Sequence, residues 1–207
     1  MESFWEIFTL LTGILYIILE IRQHNFMWVV GVLTALAAMY VFFQQSLFAS
    51  FGLNCYYLVV SFIGLWQWRK DSDALTTSEN SASKSVEGTV TVEEKSQIHL
   101  RTLTLGVIIG SSAVFVLMTL GLGWMANKLG DPMSHLDVAV AVLSAIATWW
   151  LSRSYKEQWL LWIVADALTT WLCVSQHLWW MTALYSAYTI SAIYGYWHWK
   201  RHGQAIE

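Results

Sequence analysis

Gly64-Leu65-Trp66-Gln67-Trp68-Arg69-Lys70 returns, 131 positions later, as Gly195-Tyr196-Trp197-His198-Trp199-Lys200-Arg201. The same offset, without a gap, pairs Arg22 with Arg153, Trp28 with Trp159, Gln45 with Gln176, Leu47 with Leu178 and Leu53 with Leu184. The chain is therefore an internal duplication. Each copy contains three long apolar runs, and one further run between the copies has no counterpart.

Seven runs result: 4–19, 26–43, 47–66, 103–124, 138–151, 159–174 and 178–197. Most approach the ~20 residues that cross ~30 Å of hydrocarbon as a helix. A 57% hydrophobic, 12% charged composition leaves too little polar surface for a water-soluble domain, where ~25% of residues are charged. The expected fold is an all-α membrane protein of seven transmembrane helices in a 3+1+3 arrangement. An odd number of spans between the copies gives both the same orientation, the parallel-repeat plan that some transporters use.

Counting connections alternately puts Arg22, Arg69, Lys70, Lys84, Lys95, Arg101, Arg153, Lys156, Lys200 and Arg201 on one side, with only Lys128 opposite. The positive-inside rule then predicts an outside amino terminus and a cytoplasmic carboxy terminus. Glu2 and Glu6 do not suit a basic signal-peptide region, so the first run reads as a permanent helix. A net charge of -3, with basic residues only at helix ends, gives no reason to expect a nucleic-acid partner. Cys55 and Cys173 fall inside runs and read as free, packed thiols, with no metal or cofactor implied.

The predicted organisation is a first three-helix repeat (1–70), a flexible Ser-, Thr- and Glu-rich cytoplasmic linker (71–99), a linking helix (100–127), a second repeat (136–201) and a short tail (202–207). The linker has too little apolar content to fold alone.

Asp166 is the one acid placed well inside a span. It lies seven residues beyond Trp159, about 10 Å deeper at 1.5 Å per residue. Helical spacing gathers Trp159, Trp162, Asp166, Thr169 or Thr170, and Cys173 on one face. An intramembrane carboxyl is costly and marks a functional site by default, although hydrogen-bonded packing glue is the competing explanation. Asn54, Tyr57 and Ser61 of the third span, and Tyr185, Tyr188, Thr189 and Ser191 of the seventh, are polar candidates for the same path. Trp28, Trp159, Trp162 and Trp171 could stack a flat cationic ring. The remaining tryptophans sit at helix ends, with Trp66, Trp68, Trp149, Trp150, Trp197 and Trp199 on one side and Trp5, Trp124, Trp179 and Trp180 on the other. They read as interfacial anchors.

The run Arg153-Ser154-Tyr155-Lys156-Glu157-Gln158-Trp159-Leu160-Leu161-Trp162 resembles the signature of the PnuC family of vitamin transporters. The resemblance continues through Gln176, Tyr185, Thr189 and Gly195, and in the first half through Gly31, Phe42-Phe43-Gln44, Leu47–Ser50, Gly64 and Trp66. It implies a fold similar to the sugar-carrying SWEET proteins and a homotrimer in the bacterial inner membrane. It also implies facilitated diffusion of an unphosphorylated vitamin, which a cytoplasmic kinase then traps. On that resemblance the substrate-binding candidates are Asp166, Trp162, Trp159, Asn54, Tyr57, Thr34, Gln176, Tyr185, Tyr188 and Thr189.

Members that carry nicotinamide riboside hold side-chain amides where this chain aligns Thr34, Ser61, Asp166 and Tyr194. A carboxamide asks for a donor and an acceptor, which an ionised Asp does not supply. Thiamine, with N–H groups for a carboxylate and a cationic ring, is the expected substrate, and nicotinamide riboside is the alternative. A vitamin-sensing receptor could share the same pocket. No mid-span Lys suits a retinal protein, and no second deep Asp, Ser–His pair or zinc motif suits an intramembrane protease, so no enzyme activity is expected.

Overall fold

The computed structural model describes residues 14–44, 48–83, 98–129 and 135–205. Positions 4–13 of the first predicted span with Trp5, Gln45 and Leu47 of the repeat, linker residues 84–97, and tail residues 206–207 lie outside the described residues.

Seven helices are seen there. We label them α1 (residues 14–21), α2 (Phe26–Gln44), α3 (Phe48–Ser83), α4 (Leu105–Leu129), α5 (His135–Ser152), α6 (Gln158–Ser175) and α7 (Trp179–His202). Two short strands, β1 (His99–Leu100) and β2 (Gln204–Ala205), pair in parallel. The chain is an all-helical membrane protein. Leu105–Met125 of α4, α5 and α6 are long and apolar enough to cross a bilayer, whereas the apolar run of α2, Phe26–Ala37, is shorter. At 24 residues, α7 is long enough to span, but it is rich in Trp and Tyr, which hydropathy scores low although they suit a membrane interface.

Helix α3 differs from the expected linker boundary. It continues past Lys70 to Ser83. No Gly or Pro interrupts residues 65–83, so nothing in the backbone chemistry ends the helix when apolar residues run out.

The chain forms two compact units, and these do not follow the repeat boundaries. The first comprises Met1–Arg101 with Ser152–Ser154 and His198–Glu207; the second comprises Thr102–Leu151 and Tyr155–Trp197.

In the first unit α2 lies along α3. Gly64 admits the Trp28 indole so closely that a Cβ there would overlap the ring. Gly31 lies close to Ser61, whose Oγ would stand 3.0 Å from an added Cβ, so Ser61 packs between the helices. Trp28 meets Trp68 edge-on at 5.1 Å, and Trp68 meets His99 at 6.0 Å and Trp199 at 6.4 Å. Trp68 and Trp199 are fully buried, which corrects the expectation that they anchor the interface; their repeat neighbours Trp66 and Trp197 do remain exposed. The Trp199 indole N–H donates to the Ile21 carbonyl at 2.9 Å.

The second unit repeats the closure. Trp159 covers Gly195, and a Cβ there would stand 2.7 Å from ring carbons. Helix α4, without a repeat counterpart, has no buried residue in its most apolar 18-residue window. Its exposed Leu105, Ile109, Leu117 and Leu120 present the apolar exterior that lipid requires. Trp150, another predicted anchor, is instead buried and donates to Ser111 Oγ at 3.0 Å.

Candidate functional site

Helix α6 begins on the Tyr155–Glu157 turn and carries Trp159, Trp162 and Asp166 along one face. Asp166 is 7% exposed in the middle of the helix. Its backbone carbonyl accepts the Thr170 hydroxyl at 2.8 Å, and among the described residues no side chain hydrogen-bonds or ion-pairs with its carboxyl group. Helix α7, which packs against α6 where Trp159 meets Gly195, carries Tyr185 and Tyr188. Those two rings meet edge-on at 5.7 Å. One turn before Asp166, the Trp162 indole N–H is buried without an acceptor among the described residues. The second unit thus gathers a carboxyl group, two phenols and an unsatisfied indole donor.

The other sequence candidates are distributed differently. Thr189 turns inward on its own helix and donates to the Tyr185 carbonyl at 2.9 Å. Gln176 caps the C-terminal end of α6 and is exposed, about 15 Å along the helix axis from Asp166 at 1.5 Å per residue. That depth separates it from the cluster. Trp159 packs on Gly195, which gives it a place in helix packing. Tyr194, an aligned amide position, is 59% exposed. In the first unit Asn54 and Tyr57 are half-buried on α3, and Tyr57 meets Tyr56 at 5.6 Å. Thr34 is exposed and bonds the Val30 carbonyl of its own helix at 2.9 Å. Tyr57 and Tyr188 occupy equivalent repeat positions.

A separate cavity of about 220 Å³ in the second unit is bounded by Ile108 and Phe115 of α4, Leu143 and Ile146 of α5, and Leu161 of α6. Its lining is apolar apart from Ser111 and Ser112 and the edge of Trp150, and it does not include Asp166. Among the described residues no three His, Cys, Asp or Glu side chains converge as metal ligands would.

Sequence reasoning placed Asp166 deep in a span, and the structure buries it in mid-helix, because deep polar residues stand out against apolar runs. It missed the Trp-on-Gly closures, although the signal was available: each Gly is paired with its Trp at the same offset in both repeats.

An all-helical, multi-pass membrane protein with a cluster of polar groups inside one helix bundle has the build of a small-solute carrier. The chain belongs to the family described as the nicotinamide mononucleotide transporter family, whose model matches residues 3–201. It is 26% identical over 202 residues to the nicotinamide riboside transporter PnuC of Neisseria mucosa, covering 92% of this chain and 71% of that one. The PnuC protein of Haemophilus influenzae is 23% identical over 203 residues, covering 97% and 80%, and that of Escherichia coli 24% over 166 residues, covering 75% and 67%. The fold is similar to a crystal structure of the vitamin B3 transporter PnuC, with a TM-score of 0.63 and 24% identity over 93% of this chain and 80% of that one. The chain is a PnuC-family vitamin transporter and not an enzyme.

Proposed function

We propose that the chain carries nicotinamide riboside across the bacterial inner membrane by facilitated diffusion. The supporting observation is the similarity, over most of the chain, to relatives named nicotinamide riboside transporter, which covers 75–97% of this chain. That similarity weighs against thiamine, whose preference rested on Asp166 being ionised. A carboxyl group that holds its proton offers one donor and one acceptor, as Asn or Gln does. Asp166 has the shape of an Asn side chain and, in its protonated form, the bonding pattern to face a carboxamide, with Tyr185 and Tyr188 on the neighbouring helix and the Trp162 indole as donor and ring face. Asn54, Tyr57 and Thr34 are the first repeat's contribution to the path.

The same reading carries the 3+1+3 parallel-repeat, SWEET-like plan, the homotrimer, the outside amino terminus and the cytoplasmic carboxy terminus. A cytoplasmic kinase that phosphorylates the incoming nucleoside provides the gradient, so no ion coupling is needed. The test is calorimetric titration of the purified protein with nicotinamide riboside and with thiamine at one pH, for the parent and Asp166→Asn. Binding of nicotinamide riboside by the parent, retained within about ten-fold by Asp166→Asn, fits an amide-like role. Binding of thiamine alone, lost in Asp166→Asn, would restore the carboxylate reading and overturn this one.

A further inference from the structure

We infer that residues Ile98–Arg101 form a releasable strap that latches the equivalent turns of the two repeats together, and that this latch opens during the transport cycle. The inference rests on the reading of the chain as a carrier, but not on which vitamin it carries.

The geometry is specific. The Gln23 side-chain amide pairs with the strap backbone as a β-strand neighbour would. Its Nε2 donates to the His99 carbonyl at 3.0 Å, and its Oε1 accepts from the His99 N–H at 2.7 Å. The same Nε2 reaches Ser154 Oγ at 3.1 Å, and the Arg101 N–H donates to the Ser154 carbonyl at 3.2 Å. One strap thus holds the α1–α2 turn of the first repeat and the α5–α6 turn of the second. Its flanks are fastened too. The Arg101 guanidinium meets Asp71 Oδ1 at 2.8 Å, where Gln67 also donates at 2.9 Å. The Gln204 N–H donates to the Ile98 carbonyl at 2.7 Å, and Leu100 presses on Gly203, where no Cβ would fit.

Two features distinguish a latch from a permanent brace. The fastening is made chiefly of polar bonds to a strap with only a two-residue strand pairing, beside the Leu100–Gly203 and His99–Trp68 contacts, whereas within each repeat the helices are closed by interlocked Trp and Gly. The interlocked contacts cannot slide, but a set of hydrogen bonds can be exchanged for water and remade. In a carrier whose repeats rock against each other, these bonds, together with the Trp199–Ile21 hydrogen bond and the Trp68–Trp199 edge contact, are among those at this end that relative motion must break.

The experiment places a reporter at Ser152, which is fully buried in the same unit. Ser152→Cys, in a background with Cys55 and Cys173 replaced by Ala, is labelled with a hydrophilic maleimide in detergent. Expected is slow labelling that becomes several-fold faster in Gln23→Ala without any substrate. Saturating nicotinamide riboside should change the rate in the Gln23 protein. Should Gln23→Ala not fold, Ser154→Ala removes only the Oγ acceptor and serves in its place. Labelling that neither variant alters overturns the latch outright. Labelling raised by the variants but unmoved by substrate, with calorimetry showing that nicotinamide riboside binds, makes the strap a static brace and also overturns it. If calorimetry shows no binding, the substrate assignment has failed instead, and the substrate arm is repeated with thiamine under the same criterion.

Discussion

Gln23 and Ser154, separated by 131 residues, both adopt left-handed backbone, at φ 51° and 59°, and are hydrogen-bonded to each other at 3.1 Å. Each closes the first helix of its repeat in the same way. The next residue's N–H returns to the carbonyl five residues back, His24 to Leu19 at 2.9 Å and Tyr155 to Trp150 at 3.1 Å. His177 closes α6 by the same pattern, through Leu178 to Cys173. Glycine is the usual occupant of such a cap because a Cβ there costs roughly 1–2 kcal/mol. Gln23 holds the conformation for the sake of its side chain. Gln23→Gly should relieve the backbone but lose three hydrogen bonds in a buried setting, for a net loss of about 2 kcal/mol. Ser154→Gly loses one side-chain bond and should fall within about 1 kcal/mol of neutral. Thermal unfolding in detergent, with both variants side by side, checks the contrast.

Glycine substitutions should split by location. Gly195→Ala and Gly64→Ala drive a methyl into the Trp159 and Trp28 rings and should each cost about 1–3 kcal/mol or more. At Gly52 and Gly110 an added Cβ meets nothing within 4 Å, so alanine there should stabilise the helices by roughly 0.5–1 kcal/mol. Melting temperatures of the four variants give the answer directly.

Trp159 and Trp162 should behave differently although they share a helix face. Trp159→Ala empties the space over Gly195 and should cost about 3–5 kcal/mol of stability. Trp162→Ala should leave the fold largely intact and weaken vitamin binding by roughly 1–3 kcal/mol through loss of the ring face. Parallel melting and calorimetry separate the two effects. A binding loss in a stable Trp159→Ala protein would place that residue in the site as well.

His198, just past the last apolar run, supplies a pH dependence. Burial, the His202 ring 4.5 Å away and the Arg22 charge hold its imidazole below the ordinary range. The unfolded chain therefore takes up the proton first as pH falls. The stability it contributes is present above the unfolded value of about 6.5 and is lost as pH drops from there through the folded value. His198→Gln should flatten the fall in melting temperature between about pH 7 and pH 5.

The duplication was legible because Gly64–Lys70 and Gly195–Arg201 keep their aromatic and basic residues in register, and the structure explains why. The Trp needs its Gly, and both repeats use the same closure. The depth of Asp166 was legible because burial of a polar group is costly and therefore conspicuous. The fates of Trp68 and Trp199 were not. A tryptophan at a helix end reads as an interfacial anchor, and partners distant in sequence convert it to core: Trp28, Trp199 and His99 of the strap around Trp68, and the Ile21 carbonyl on Trp199. The start of the linker was misplaced for a related reason, since a polar segment without Gly or Pro can extend a helix that hydrophobic periodicity no longer marks.

Counterflow in proteoliposomes tests the central claim most directly. Vesicles holding the purified protein and unlabelled nicotinamide riboside should accumulate labelled nicotinamide riboside transiently, with no ion gradient or ATP, and an internal load of thiamine should not substitute. Accumulation driven by thiamine and not by nicotinamide riboside would contradict the substrate assignment. Binding of either vitamin without any counterflow would contradict the carrier itself.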